Sequence, residues 1–148
     1  MLLTGSCHCG NISFTLRCEP APANLPARAC SCSFCRKHGA LWTTHPAATL
    51  KVGVKDPACL SRYAFATETA QFHVCSRCGV VPLVTSRIDG RLYAVVNVHA
   101  LADVDAAFFL HAAVSFDGES EAQRLARRQR NWIANVDFAE VDSPTRGV

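Results

Sequence analysis

Nine cysteines in a chain of 148 residues constrain this sequence more than any other feature. Seven of them fall into three short clusters, Cys7-x-Cys9, Cys30-x-Cys32-x-x-Cys35 and Cys75-x-x-Cys78. Disulfide frameworks usually spread their half-cystines along the chain, whereas thiols two or three residues apart are placed to bind one metal ion together. Zinc binds thiolates in a tetrahedron at about 2.3 Å. The spacing therefore predicts zinc sites rather than disulfides.

The seven clustered cysteines divide into a set of four and a set of three. A structural zinc site takes four protein ligands, while a catalytic site keeps three and leaves one position open. Two clusters end in glycine, at Gly10 and Gly79, which tolerates the positive φ of a tight turn. We therefore expect two zinc ions per chain. The structural ion would be bound by Cys7, Cys9, Cys75 and Cys78, and the catalytic ion by Cys30, Cys32 and Cys35.

An alternative is that the second site is also closed. His38 lies about one helical turn beyond Cys35, and it would complete a Cys₃His structural site. The two isolated cysteines, Cys18 and Cys59, are expected to be small buried apolar groups rather than ligands.

Composition favours one compact domain, residues 1–148, in a reducing cytoplasm. Hydrophobic residues make up 49% of the chain, and its length is sufficient for a core. No apolar run approaches the roughly 20 residues of a membrane span. The first cysteine pair comes too early for a signal peptide. A formal net charge of +3 is too mild to indicate a nucleic-acid partner.

The remaining sequence is typical of short β-strands. Residues 11–17 alternate between apolar and polar, and 80–86 and 91–98 flank a turn at 87–90, which predicts a hairpin. Further strands are expected at 41–44, 60–65, 70–74 and 111–116. One helix is predicted over 119–132, with acidic residues first and arginines toward its end. We interpret those arginines as a solvated surface: Arg124, Arg127, Arg128 and Arg130.

Three ordered motifs carry a resemblance to a known family. Gly5–Gly10, Cys30–Ala40 and Phe72–Gly79 resemble the signatures of the glutathione-dependent formaldehyde-activating enzymes, a family that includes centromere protein V. The resemblance implies a mainly β fold, a β-tent of small antiparallel sheets around zinc knuckles. The core would cover about residues 3–115, and a helical extension would follow over about 117–148. It also implies one structural and one catalytic zinc, with the partition of cysteines given above.

The resemblance implies a zinc-dependent carbon–sulfur lyase, S-(hydroxymethyl)glutathione synthase, which joins glutathione to formaldehyde. Zinc deprotonates a coordinating thiol, so an open position would present a small thiol substrate as a thiolate. The alternative is a non-catalytic zinc module that binds a protein or a nucleic acid. Such a module would have two closed sites and no cleft. The chain lacks the long basic tail that favours nucleic-acid binding.

Overall fold

The structure is a computed structural model, and it describes residues 1–140. Over this range the chain forms two β-sheets and two α-helices. The prediction of a mainly β fold with one main helix near the C-terminus is confirmed. Residues 141–148, the end of the expected helical extension, lie outside the described residues.

The first sheet contains four strands. They are β1 (Leu2–Ser6), β2 (Ile12–Arg17), β5 (Thr49–Val54) and β11 (Asn135–Glu140), in the order β1-β2-β5-β11. The alternation noted at 11–17 is realised in β2, where Ile12, Phe14 and Leu16 are buried.

The second sheet contains seven strands. They are β3 (Leu25–Cys30), β4 (Trp42–Thr43), β6 (Leu60–Tyr63), β7 (Gln71–Cys75), β8 (Leu83–Ile88), β9 (Arg91–Asn97) and β10 (Phe109–Val114). Their order is β10-β3-β4-β9-β8-β7-β6. β8 and β9 form the predicted hairpin, whose turn is Asp89-Gly90 with positive φ at both residues.

Each sheet is mixed rather than purely antiparallel. β10 pairs in parallel with β3 at one edge of the second sheet, and β11 pairs in parallel with β5 at one edge of the first. Both are late strands that return to an edge after a long connection, which is what parallel pairing requires. The expected extension over 117–148 is therefore not only helical, because it also contains β11.

The two helices are α1 (Ser33–His38) and α2 (Glu121–Asn131). The sequence indicated α2 but missed α1, a short helix that is capped by a cysteine rather than by a common capping residue. The Cys32 Sγ accepts from the Cys35 backbone N–H at its start, and Gly39 ends it in the left-handed conformation. α2 begins with a capping box between Ser120 and Gln123.

The C-terminal end of α2 is fixed to the second sheet. Ile133 and Ala94 of β9 exchange two backbone hydrogen bonds of 3.0 Å, and the Thr44 hydroxyl donates to the Asn131 carbonyl at 2.9 Å. Trp132 and Ile133 are buried in the core. This attachment places α2 against the second sheet, where it contacts β8.

Candidate metal centres and the adjoining cavity

The four-cysteine set lies where two hairpin turns meet. One turn joins β1 to β2 and carries Cys7 and Cys9, and the other follows β7 and carries Cys75 and Cys78. Since β1 and β2 belong to the first sheet and β7 belongs to the second, the cluster links the two sheets.

The two turns have the same local geometry. The Gly10 N–H donates to the Cys7 carbonyl at 3.1 Å, and the Gly79 N–H donates to the Cys75 carbonyl at 2.7 Å. Both glycines have φ near +80°. This is the role expected for them, because a side chain at that φ would be strained.

The sulfur atoms of this set are spaced as a tetrahedral metal site requires. The Cys7 and Cys9 Sγ atoms lie 3.8 Å apart, and the Cys9 and Cys75 Sγ atoms 3.5 Å apart. All four Sγ atoms lie within 4.8 Å of one another. A tetrahedron of sulfurs at the zinc–thiolate distance has edges of about 3.8 Å. The donor set and its spacing therefore fit a zinc ion.

The three-cysteine set is built from the end of β3 and the start of α1. Cys30 ends β3, Cys32 caps α1 and Cys35 lies within the helix, and their Sγ atoms are also within 4.8 Å of one another. Cys35 is 3% exposed, and its Sγ accepts a 3.3 Å hydrogen bond from the Trp42 indole N–H. A hydrogen bond between the Cys30 and Cys35 thiols lowers the pKa of Cys30 to about 6, and the same hydrogen bond raises the pKa of Cys35. Three thiolates suit zinc, so this set fits a metal ion with one position left for another ligand.

His38 is not part of the three-cysteine set. The His38 residue is exposed, and its ring packs at a tilt against Phe34, with ring centroids 4.5 Å apart. Among residues 1–140, the metal-ligating atoms grouped with Cys30 and Cys35 come only from Cys32. The geometry thus does not support the alternative in which His38 closes the site.

All nine cysteines are free thiols, as expected for metal sites rather than disulfides. Cys18 is 1% exposed, which agrees with its predicted role as a small apolar group. Cys59 also lies outside both metal-ligating sets, as predicted, but it is only partly buried and is not an apolar group of the core. Its Sγ lies 3.4 Å from Asp56 Oδ2 and accepts from Arg77 at 3.5 Å.

A cavity of about 370 Å³ opens beside the three-cysteine set. Cys30, Cys32 and Cys35 all line it, and the four-cysteine set does not. Much of its remaining wall is apolar and includes Trp42 and Phe72. A concave, largely apolar site with a few polar groups is typical of small-molecule binding.

Four arginines also line this cavity, and sequence reasoning missed them. They are Arg28 of β3 and Arg124, Arg127 and Arg128 of α2. The interpretation of α2 as a solvated arginine surface is therefore wrong for three of its arginines and holds only for the exposed Arg130. The spacing of residues 124, 127 and 128 places them on one helical face, and this was the signal available in the sequence.

A small, mainly β chain with a four-cysteine and a three-cysteine cluster, the second of which opens into a cavity, has the features of a thiolate metal-binding protein. A family model described as glutathione-dependent formaldehyde-activating enzyme matches residues 2–112. The chain belongs to this family. The match ends before α2, so the helix and β11 lie beyond it.

A solved structure supports the same conclusion. The chain is similar to a Rhodobacter sphaeroides protein whose crystal structure was determined as a structural genomics target. The two sequences are 30% identical, and the TM-score is 0.51. The alignment covers 70% of this chain and 92% of the other. Separately, the helices within residues 1–140 are too short or too polar to cross a membrane.

Proposed function

We propose that this protein is a zinc-dependent carbon–sulfur lyase that joins a small thiol, by family membership glutathione, to formaldehyde. The observation that carries the proposal is the position of the three-cysteine set in the wall of a cavity. A binding module would be expected to have two closed sites and no cleft, so the cavity favours the enzyme.

In this proposal the two cysteine sets have different roles. Cys7, Cys9, Cys75 and Cys78 hold a structural zinc between the two sheets. Cys30, Cys32 and Cys35 hold a catalytic zinc, which when bound supplies Lewis acidity and favours the thiolate form of a neighbouring thiol.

The protein's own groups prepare the second site in two ways. The Trp42 indole N–H donates to the Cys35 Sγ, which fixes this sulfur and offsets part of its negative charge. The apolar part of the cavity wall, which includes Phe72, would hold a carbonyl and a thiol in a fixed orientation beside the three cysteines.

The proposal is tested by replacing zinc with cobalt and titrating the protein with glutathione. Glutathione should change the visible spectrum of cobalt in the second site, and S-methylglutathione, which has no free thiol, should leave it unchanged. The zinc-loaded enzyme should also accelerate formation of the S-hydroxymethyl adduct from ¹³C-formaldehyde, measured by NMR. Cys32→Ser should lose both effects.

A cobalt spectrum that does not respond to saturating glutathione, together with an unaltered rate of adduct formation, would overturn the proposed function. The metal content of the same sample, determined by elemental analysis, ensures that both sites are loaded. A response that persists in Cys32→Ser would show that the thiol binds elsewhere.

A further inference from the structure

One wall of the cavity is formed by α2, and α2 lies outside the segment that the family model matches, because the match ends at residue 112. The orientation of α2 is fixed by the attachment of residues 131–133 to the second sheet. The three-cysteine set, in contrast, lies within the matched segment. The cavity thus combines a family metal site with a wall supplied by residues that the family model does not cover.

Positive charge in this wall exceeds the negative charge that compensates it. Glu119 pairs with Arg127 through hydrogen bonds of 2.9 and 3.1 Å, and it also lies 3.4 Å from Arg124. Arg28 and Arg128, in contrast, have no ion pair with a carboxylate within residues 1–140. Asp117 is the acidic residue among those that line the cavity, which do not include Glu119. The four guanidinium groups are therefore balanced by the carboxylates of Glu119 and Asp117 and, once zinc is bound, by the net charge of −1 of a three-thiolate zinc complex, which leaves one positive charge.

Arg128 is held in a position that would be costly without a ligand. Its residue is 6% exposed, and Nη1 donates to the hydroxyls of Thr69 at 2.8 Å and Ser86 at 3.2 Å. Its Nε is buried and has no hydrogen-bond partner among the described residues. Burial lowers the pKa of this guanidinium to about 10. The guanidinium also lies over the Trp132 ring at 5.0 Å, but no carboxylate within residues 1–140 forms an ion pair with it, so an anion in the cavity would reduce the cost of burying this charge.

Arg28 offers a second free guanidinium group. It is half-buried on β3, and within residues 1–140 its side chain makes no hydrogen bond or ion pair. It lies near the positive charge of Arg127, which is a repulsive arrangement unless an anion lies between them. Guanidinium groups bind carboxylates and phosphates through paired N–H donors.

The wall facing these arginines is apolar and aromatic. Phe65 and Phe72 line the cavity with their ring centroids 5.4 Å apart, and the Phe34 ring stacks on Phe65 and packs at a tilt against Phe72. Val84 and Val95 extend the same surface. A cavity of about 370 Å³ is far larger than formaldehyde requires, so this surface is available to a larger apolar group.

We propose that this cavity selects a substrate in which an oxyanion group, carboxylate or phosphate, is attached to an apolar body, with Arg28 and Arg128 binding the oxyanion. The selection is supplied by α2 together with β3. The proposal rests on the proposed carbon–sulfur chemistry of the three-cysteine set and deepens it: glutathione is the thiol given by family membership, and the arginines and aromatic wall of this chain would favour a thiol that carries an oxyanion on a more apolar body.

The test is calorimetric titration of the zinc-loaded protein with three probes that share a phenyl group and differ in their polar group. 3-Phenylpropionate and phenyl phosphate carry the oxyanion, and 3-phenylpropanol is the neutral control. At least one oxyanion should bind about tenfold or more tightly than the alcohol, and the tighter of the two identifies the preferred group. Equal binding of all three probes, or binding of none, would overturn the proposal.

Variants then locate the binding groups. Arg128→Gln and Arg28→Gln should each weaken oxyanion binding by about tenfold, and Arg130→Gln, a matched change on the exposed side of the same helix, should leave it within twofold. If Arg128→Gln fails to fold, the oxyanion affinity of Arg28→Gln alone tests the assignment. Oxyanion affinity in Arg28→Gln equal to wild type would overturn the assignment.

These results are independent of the glutathione experiment. Oxyanion selectivity without any cobalt response to glutathione would support the anion site and contradict the proposed function. A cobalt response to glutathione, together with equal affinity for 3-phenylpropionate and 3-phenylpropanol, would support the proposed function and contradict the anion site.

Discussion

Replacement of Cys75 by serine tests the division of the cysteines into a structural and a catalytic set. Cys75 is completely buried and contributes to a cluster that links the two sheets. We expect Cys75→Ser to lose the structural zinc and to unfold at a much lower temperature. Cys32→Ser should weaken only the second metal ion, and serine can still cap α1 because its hydroxyl accepts the same hydrogen bond.

The difference between the two variants follows from the length of chain that each metal ion cross-links. Cys9 and Cys75 are separated by 66 residues. Treated with the loop-entropy relation used for disulfides, a cross-link of that span contributes about 4 kcal/mol. Cys30 and Cys35 are five residues apart. The same relation gives about 2 kcal/mol for them, and the difference corresponds to roughly 4–8 °C in Tm.

The assay is calorimetric melting of both variants with zinc content measured on the same samples. Cys18→Ser is the control, because Cys18 is buried outside both sets and reports the cost of exchanging a thiol for a hydroxyl. Equal Tm losses in Cys75→Ser and Cys32→Ser would refute the division. So would two zinc ions retained by Cys75→Ser.

Two further predictions concern the surroundings of the second site. Trp42→Phe keeps the aromatic packing but removes the donor to Cys35 Sγ, so the affinity for the second zinc, measured by chelator competition, should fall about tenfold while the first ion is retained. Unchanged affinity would mean that this hydrogen bond does not stabilise the thiolate. Glu119→Gln should lower the free energy of unfolding by about 1–2 kcal/mol at pH 7, because the carboxylate is 16% exposed and accepts two bonds from Arg127. Hydrogen bonding to Arg127 lowers the pKa of Glu119, so this stabilisation is present above the unfolded pKa of about 4.3 and is lost as pH falls through the lower folded pKa. The denaturant curves of variant and wild type should therefore converge in acid. A gap that persists in acid would show that the effect is not electrostatic.

The sequence by itself determined the parts of this protein that depend on local spacing. Cysteines two or three residues apart must lie on one turn, and glycine directly after the second cysteine permits the positive φ that both turns adopt. The hairpin around Asp89-Gly90 is equally local. The partition into four and three cysteines was also predicted, and the structure brings together these same two sets. The roles of the two sets remain predictions.

Only the tertiary structure decided what surrounds the second site. Arg128 looks like any solvated helical arginine in sequence, and it is buried because residues 131–133 anchor α2 against the second sheet. The parallel pairing of β11 with β5 likewise joins segments more than 80 residues apart. Such contacts arise from packing between distant segments, and the local periodicity of the sequence does not predict them. The sequence therefore predicted which cysteines lie together, while the fold alone placed an arginine wall beside three of them.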